Sequence, residues 1–148
     1  LLLAALLSGL AGCAAQTGHR DANAPIAAIV SFDPARFVGT WNEVAAIGRS
    51  PGARWQVSAG ANGSFTIATT RDGNGTARLV GPGRIEATNF PVPLWVLWVD
   101  SGYRTMAIGT PDGRFAMLLD RDTTLPADRM NAAREVLAWN GYDLAGLR

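Results

Sequence analysis

Between residues 41 and 120 the chain is a series of short segments, each ended by a turn signal, and this spacing limits the fold more than any other feature. The segments fall at 41–47, 54–59, 64–70, 76–80, 84–89, 94–100, 104–110 and 114–120. Between them stand Ser50-Pro51-Gly52, Gly60-Ala61-Asn62-Gly63, Asp72-Gly73-Asn74-Gly75, Gly81-Pro82-Gly83, Pro91 with Pro93, Ser101-Gly102 and Pro111-Asp112-Gly113. Asn-Gly and Asp-Gly pairs tolerate the positive φ that tight hairpin turns require. Eight evenly spaced strands with short loops predict an all-β domain, either a sandwich or an up-and-down antiparallel barrel.

The period changes near the end. Residues 126–140 put Met130, Ala133, Val136 and Leu137 on one side at helical spacing, with Asn131, Arg134 and Glu135 on the other. Pro126 suits a first turn, Asp128 complements the helix dipole, and Gly141 can close the helix in the left-handed conformation. Trp139 falls off the apolar stripe. One amphipathic helix after eight strands has only the outer wall of the sheet on which to bury its stripe. Residues 94–99 are apolar throughout, as expected of a strand covered on both faces, so the helix is expected near them. Upstream, Asp33 is a candidate cap for a single helical turn that starts at Pro34.

Composition removes several function classes. The net charge is +1, and every basic residue apart from one histidine is a scattered arginine, unlike the basic stripe of a nucleic-acid binder. The one cysteine, Cys13, and the one histidine, His19, both lie ahead of the strands. A Ser-His-Asp triad, histidine-ligated haem and a thiolate or histidine zinc site are therefore missing from the barrel segment. No catalytic residue, cofactor or metal site is expected. Asp120 and Asp122 flank Arg121 and read as a solvated charge cluster. Gly73-Asn74-Gly75 and Gly81-Pro82-Gly83 are not phosphate loops, since no helix follows either and lysine is absent.

Residues 1–10 are almost wholly apolar. They are too few to span a bilayer, which needs about 20, but they fit the apolar core of a secretion signal. Leu10-Ala11-Gly12-Cys13 resembles a bacterial lipobox, in which the signal is cut before the cysteine and the thiol is acylated. An ordinary signal followed by a coincidental cysteine is the alternative. The expected organisation is a signal remnant at 1–12, a lipidated tether and N-terminal arm at 13–32, and the barrel domain at 33–148. Within the arm, 14–23 read as a flexible tether and 24–32 as lying against the domain.

Phe37-Val38-Gly39-Thr40-Trp41-Asn42-Glu43-Val44-Ala45 resembles the opening Gly-x-Trp signature of the lipocalin family. Trp95-Val96-Leu97-Trp98-Val99-Asp100 resembles its second signature, at the end of the sixth strand. Leu118-Leu119-Asp120-Arg121 resembles the third, and a helix follows, as in the family. With the lipobox, the chain resembles a bacterial outer-membrane lipoprotein lipocalin. The resemblance implies an eight-stranded antiparallel up-and-down barrel of the calycin type, with one C-terminal α-helix packed on its outside. It places Gly39, Trp41, Asp100 and Arg121 at a closed end. There Trp41 is large enough to act as a plug, Arg121 can lie over the indole, and Gly39 lets the chain pass close by. Asn42 stands where the family usually has an aromatic residue, and the stretch from Trp41 to Trp95 is short for the family.

Strand alternation from Trp41 and Arg121 gives a map of the interior. Glu43 and Ala45 are expected to face inward, as are Phe115, Met117 and Leu119. Trp55, Trp98, Met106 and Ile108 complete the expected lining. Such a surface suits a hydrocarbon chain, each buried methylene contributing about 0.8 kcal/mol. Hollow and filled barrels of this size both occur, and the family resemblance implies a hollow one. Glu43 is expected to be hydrogen-bonded near the closed end, the alternative being that it meets a ligand head group.

The resulting expectation is a binding protein, not an enzyme. It would be lipid-anchored through Cys13 in the bacterial outer membrane, facing the periplasm, and would hold or carry a fatty acid or lysophospholipid. Its partners would be that ligand and the membrane, with no nucleic acid. A filled barrel acting as a structural or interaction lipoprotein, and an isomerase or cyclase using Glu43, are the alternatives. Ligand identity, and whether the protein is monomer or dimer, are not encoded in any readable pattern.

Overall fold

The structure is a computed structural model that describes residues 18–148. The lipidation expected at Cys13 therefore lies outside the described residues. A single helical turn, α1 (Pro34–Phe37), starts at the Asp33 cap, whose side chain accepts from the Ala35 amide at 2.9 Å. Eight strands follow: β1 (Gly39–Ile47), β2 (Arg54–Ala59), β3 (Phe65–Thr69), β4 (Gly73–Gly81), β5 (Arg84–Ala87), β6 (Leu94–Val99), β7 (Thr105–Gly109) and β8 (Ala116–Asp120). Each pairs with the next, and β1 pairs antiparallel with β8, so the sheet is a closed barrel. Closure removes every free sheet edge. A 13-residue helix, α2 (Ala127–Trp139), and a 3₁₀ turn (Leu144–Gly146) end the chain.

Strands β2, β3 and β5 alternate buried with exposed positions, because one face meets the interior and the other meets water. Strands β7 and β8 are buried at every position. Their outer faces lie under α2 and the 3₁₀ turn, where Ala107, Ala116 and Leu118 pack with Ala133, Leu137 and Tyr142. The helix touches both β6 and β7, close to the expected strand. Gly141 ends it at φ +85°. Trp139, off the stripe, stays 75% exposed.

The arm is more firmly attached than its composition suggests. His19 donates its amide to Gly113 O at 2.7 Å, Asp21 to Gly141 O at 2.8 Å and Ile29 to Val96 O at 2.9 Å. Residues 19–23 are thus tied to the barrel and α2, where a free tether was expected, because backbone carbonyls of the 110–115 loop and the helix end accept from them. Arg148 exchanges two backbone hydrogen bonds with Ala46, covering β1 where β2 no longer pairs with it.

One turn also differs from its expected place. The β3–β4 turn is Thr70–Asp72, and Asn74 and Gly75 belong to the strand. Gly75 is needed for close approach: a Cβ there would lie 2.1 Å from Asn89 Oδ1. Asn89 uses that space to donate Nδ2 to Ile67 O and Gly73 O.

Candidate functional site

The barrel has two chemically distinct ends, and a guanidinium lies over aromatic rings at each. At the first, α1 and the start of β1 meet the β6–β7 turn. Trp41 is fully buried and donates Nε1 to Phe37 O at 2.8 Å. Arg121 stacks on the Trp41 ring, and its N–H groups reach Arg36 O at 2.6 Å, Thr40 O at 2.9 Å and Tyr103 O at 3.3 Å. Gly39 has φ +113°, and a Cβ there would sit 2.9 Å from Arg121 Nη1. Asp100 Oδ1 accepts from the Arg104 and Thr105 amides, both at 2.7 Å, and so shapes the turn that offers Tyr103 O. The four signature residues are therefore brought together at one end.

Asp120 departs from the sequence reading. It is fully buried, not solvated, and its Oδ2 accepts from Thr105 Oγ1 at 2.5 Å and from Arg129 Nη2 at 3.4 Å. Arg129 belongs to α2, so this network fastens the start of the helix to the barrel. Asp122 stays exposed and pairs with Arg104. The difference arises because Arg129 on α2 and Thr105 on β7 close over the end of β8, a contact that no periodicity marks.

The opposite end is the mouth. There the β1–β2, β3–β4, β5–β6 and β7–β8 loops supply Arg49, Arg71 with Asp72, Phe90 and Phe115. Arg49 stacks 5.0 Å from the Phe115 ring centre and 6.0 Å from that of Phe90. Phe90 lies 5.3 Å from Trp55 and 6.4 Å from Phe115 between ring centres. Glu43 sits beneath this lid with its side chain fully buried. Its Oε1 accepts from Arg71 Nη1 at 2.8 Å and lies 3.4 Å from Arg49 Nε, while Arg49 Nη2 donates to Asp72 Oδ2 at 2.8 Å. Burial pushes the Glu43 carboxyl above the ordinary carboxylate range, against the opposing pull of Arg49, Arg71 and the Trp55 N–H. Glu43 was expected near the closed end. It lies on the mouth side instead, where Gly52 and Ala53 close the β1–β2 hairpin on its backbone.

Glu43 Oε2, Arg49 Nε and Trp55 Nε1 make no hydrogen bond of ideal geometry, but they face one another: Arg49 Nε lies 3.4 Å from Glu43 Oε1, and the Trp55 N–H stabilises the same carboxylate.

Of the expected lining, Trp55, Met106, Ile108, Phe115 and Met117 share the interior cluster with Leu119 and Trp41. Ala45 and Trp98 do not. Both pack on the outer cluster toward α2. A register shift lies between Glu43 and Ala45, and another between Val96 and Trp98. Each inserts a residue and reverses the parity beyond it, so Ala46 and Val99 turn toward the interior in place of Ala45 and Trp98, while Val96, ahead of the second shift, keeps its inward direction. The interior is occupied by its own side chains, which corrects the hollow calyx that the resemblance implied. Grooves at 54–56 with 68–70, at 66–68 with 74–76, and at 76–78 with 86–88 run along the outer faces of β2 to β5. A further groove of about 580 Å³ lies outside, between residues 27–31, β6 and the end of α2. Among the described residues no three His, Cys, Asp or Glu side chains group as a metal site would require.

Sequence reasoning missed Arg49, Arg71, Asp72 and Phe90. All four lie in mouth loops, where no periodicity marks a side chain's direction. The one available signal was Glu43, a carboxylate at an inward position that calls for a cationic partner.

Residues 77–148 match the family model of the lipocalin-like domain. No curated protein matches the sequence. Among solved structures, lobster apocrustacyanin A1 superposes with a TM-score of 0.60 at 17% identity, over 84% of this chain and 88% of that one. The siderocalin Ex-FABP gives 0.61 at 14% identity, over 76% and 91%. Insecticyanin from the tobacco hornworm Manduca sexta gives 0.60 at 14% identity, over 88% and 85%. At these identities the likeness is one of fold, and the fold is that of the lipocalins.

Proposed function

We propose that this chain is a lipocalin that binds a small hydrophobic ligand in the mouth half of its barrel, held to the bacterial outer membrane through an acylated Cys13 and facing the periplasm. The observation that carries the ligand reading is the barrel itself: Trp41 and Arg121 plug one end, and at the other Phe90 and Phe115 stand in loops above an apolar interior that includes Trp55, Met106, Ile108 and Met117. The filled lower interior restricts the ligand to the mouth, where Phe90 stands in a loop and can move without breaking a strand ladder. The siderocalin Ex-FABP, of the same fold, is described as functioning through dual ligand specificities. A fatty acid or lysophospholipid is the class first suggested by the apolar lining, and burial of the chain needs no covalent step.

The anchoring part of the reading draws on the lipobox and on where the arm begins. Gly18 lies against the backbone of Asp112 and Gly113 at the mouth. Cys13 stands five residues upstream. An extended chain covers at most about 3.6 Å per residue, so an acyl group on Cys13 would hold the mouth within about 18 Å of the bilayer.

Native mass spectrometry of the detergent-extracted protein tests both parts. The expected spectrum carries the mass of an acylated cysteine and a co-purified amphiphile. A protein that neither retains nor takes up any amphiphile supports the second reading, a structural or interaction lipoprotein, which the filled interior favours.

A further inference from the structure

Two large apolar side chains at the surface, Trp139 at 75% exposed and Val30 at 85%, stand on the same outer groove. Scattered singly, such residues call for no account, but gathered on one face they do. The groove, of about 580 Å³, runs between the arm, β6 and the end of α2, and Ile29, Leu97, Val99 and Val136 extend its apolar wall. Among the described residues no charged side chain lines it, and Ser31 and Asn140 are its only polar ones. Asn140 is already committed: Oδ1 accepts from the Ala27 amide at 3.0 Å, and Nδ2 donates to Val136 O at 2.8 Å. The same corner holds the root of the arm. Arg20 Nε donates to Asn140 O at 2.7 Å, the Asp21 amide to Gly141 O at 2.8 Å, and the Asp143 amide to His19 O at 3.0 Å. Residues 19–21 therefore run beside the helix end that carries Trp139, and the sequence leads from there back through Gly18 to Cys13.

We infer that this groove is the face the protein lays on the bilayer, with the Trp139 indole and Val30 entering the lipid interface. The inference rests on the anchoring reading. Cys13 stands seven residues before Arg20, so an acyl group on it holds Arg20 within about 25 Å of the bilayer. An indole joins an apolar body to one N–H, the combination that settles at headgroup level. A wall without charge enters that layer with no ion to strip of water. Two side chains alone bind a bilayer weakly, but a short tether makes docking intramolecular, at high effective concentration. The tether supplies residence, and the face supplies orientation. Helix α2 runs from Arg129, bonded to Asp120 at the plugged end, toward Tyr142, bonded to Thr110 beside the mouth. Docking through its last turn therefore keeps the mouth next to the lipid.

The acylated full chain is reconstituted into vesicles of phosphatidylethanolamine and phosphatidylglycerol. Its tryptophan fluorescence is read with iodide in the water and with brominated acyl chains in the lipid, against the unacylated Cys13→Ser chain in buffer. Trp41 and Trp55 are fully buried, so Trp139 is the indole most open to both quenchers. Iodide quenching is expected to fall on reconstitution, and Trp139→Phe is expected to lose most of the quenching by brominated lipid. Val30→Glu keeps the indole and the tether, and is expected to about halve that quenching. The iodide comparison alters nothing in the folded domain, so it stands even if Val30→Glu folds poorly. Flotation with the vesicles but unchanged iodide quenching overturns the docking face and leaves the anchor standing. Brominated-lipid quenching that Val30→Glu leaves intact also overturns it, since the tether alone then suffices. Iodide that fails to reach Trp139 in the Cys13→Ser chain overturns it in favour of a second copy, or the chain's own N-terminal residues, as the occupant. A chain that neither carries an acyl mass nor floats overturns the anchoring reading, and the docking face with it.

Discussion

The Arg121 guanidinium lies 3.6 Å above the centre of the Trp41 indole, and its edge is hydrogen-bonded to three backbone carbonyls. The plug and its cap are thus held by α1, β1 and the β6–β7 turn together. Lysine at this position keeps the charge but loses the planar fork. Arg121→Lys is expected to lower stability by about 1–3 kcal/mol in urea unfolding. Gly39→Ala is expected to cost a similar amount, since it forces a Cβ toward Nη1 at a positive φ. Because both changes act on one contact, the double variant is expected to lose less than the sum, and additive losses would refute the coupling.

Arg129 tethers the first turn of α2 to buried Asp120 and Thr105. Arg129→Ala leaves Asp120 with its Thr105 hydrogen bond but without a facing cation. The expected loss is about 1–3 kcal/mol, and hydrogen exchange is expected to quicken at the start of the helix before the barrel strands. Uniform quickening across β1 to β8 would show that the network serves the barrel as a whole.

Tyr142 donates its hydroxyl to Thr110 O at 2.7 Å and accepts from the Thr110 amide at 2.8 Å. Tyr142→Phe leaves the Thr110 amide only its longer bond to Phe115 O at 3.2 Å and is expected to cost about 0.5–1.5 kcal/mol. Burial also raises the phenol's pKa above the ordinary tyrosine value. The stability tied to the protonated phenol is present below that ordinary value and is lost as pH climbs through the raised one. Alkaline unfolding is therefore expected to show a component that Tyr142→Phe removes.

Glu43 has the same sign for the same reason. Its folded pKa is raised by burial, so its contribution is full below the ordinary carboxylate range and is lost as pH rises through the folded value. Glu43→Gln keeps an acceptor for Arg71 but does not titrate. The melting temperature of the native chain, relative to Glu43→Gln, is expected to improve as pH falls from neutral toward 4.5. A gap that widens against the native chain on acidification would show that Arg49 and Arg71, not burial, dominate the site.

Alternation of period two, turn chemistry and the change to helical spacing were enough to mark eight strands and the final helix, because each is a property of neighbouring residues; they left sandwich and barrel open, and the family resemblance pointed to the barrel that the structure has. The Gly39, Trp41, Asp100 and Arg121 signatures likewise marked one end of the barrel. What the sequence by itself did not settle was the direction of Ala45 and Trp98, the burial of Asp120 and the lid over Glu43. A one-residue bulge reverses parity without changing composition, and it is chosen by how two strands from distant parts of the chain fit. Asp120 is buried because Arg129 of α2 and Thr105 of β7 close over it, and Arg49 meets Phe90 and Phe115 because barrel closure gathers alternate loops at one rim. Those contacts depend on how separate elements pack, so tertiary structure alone decided them.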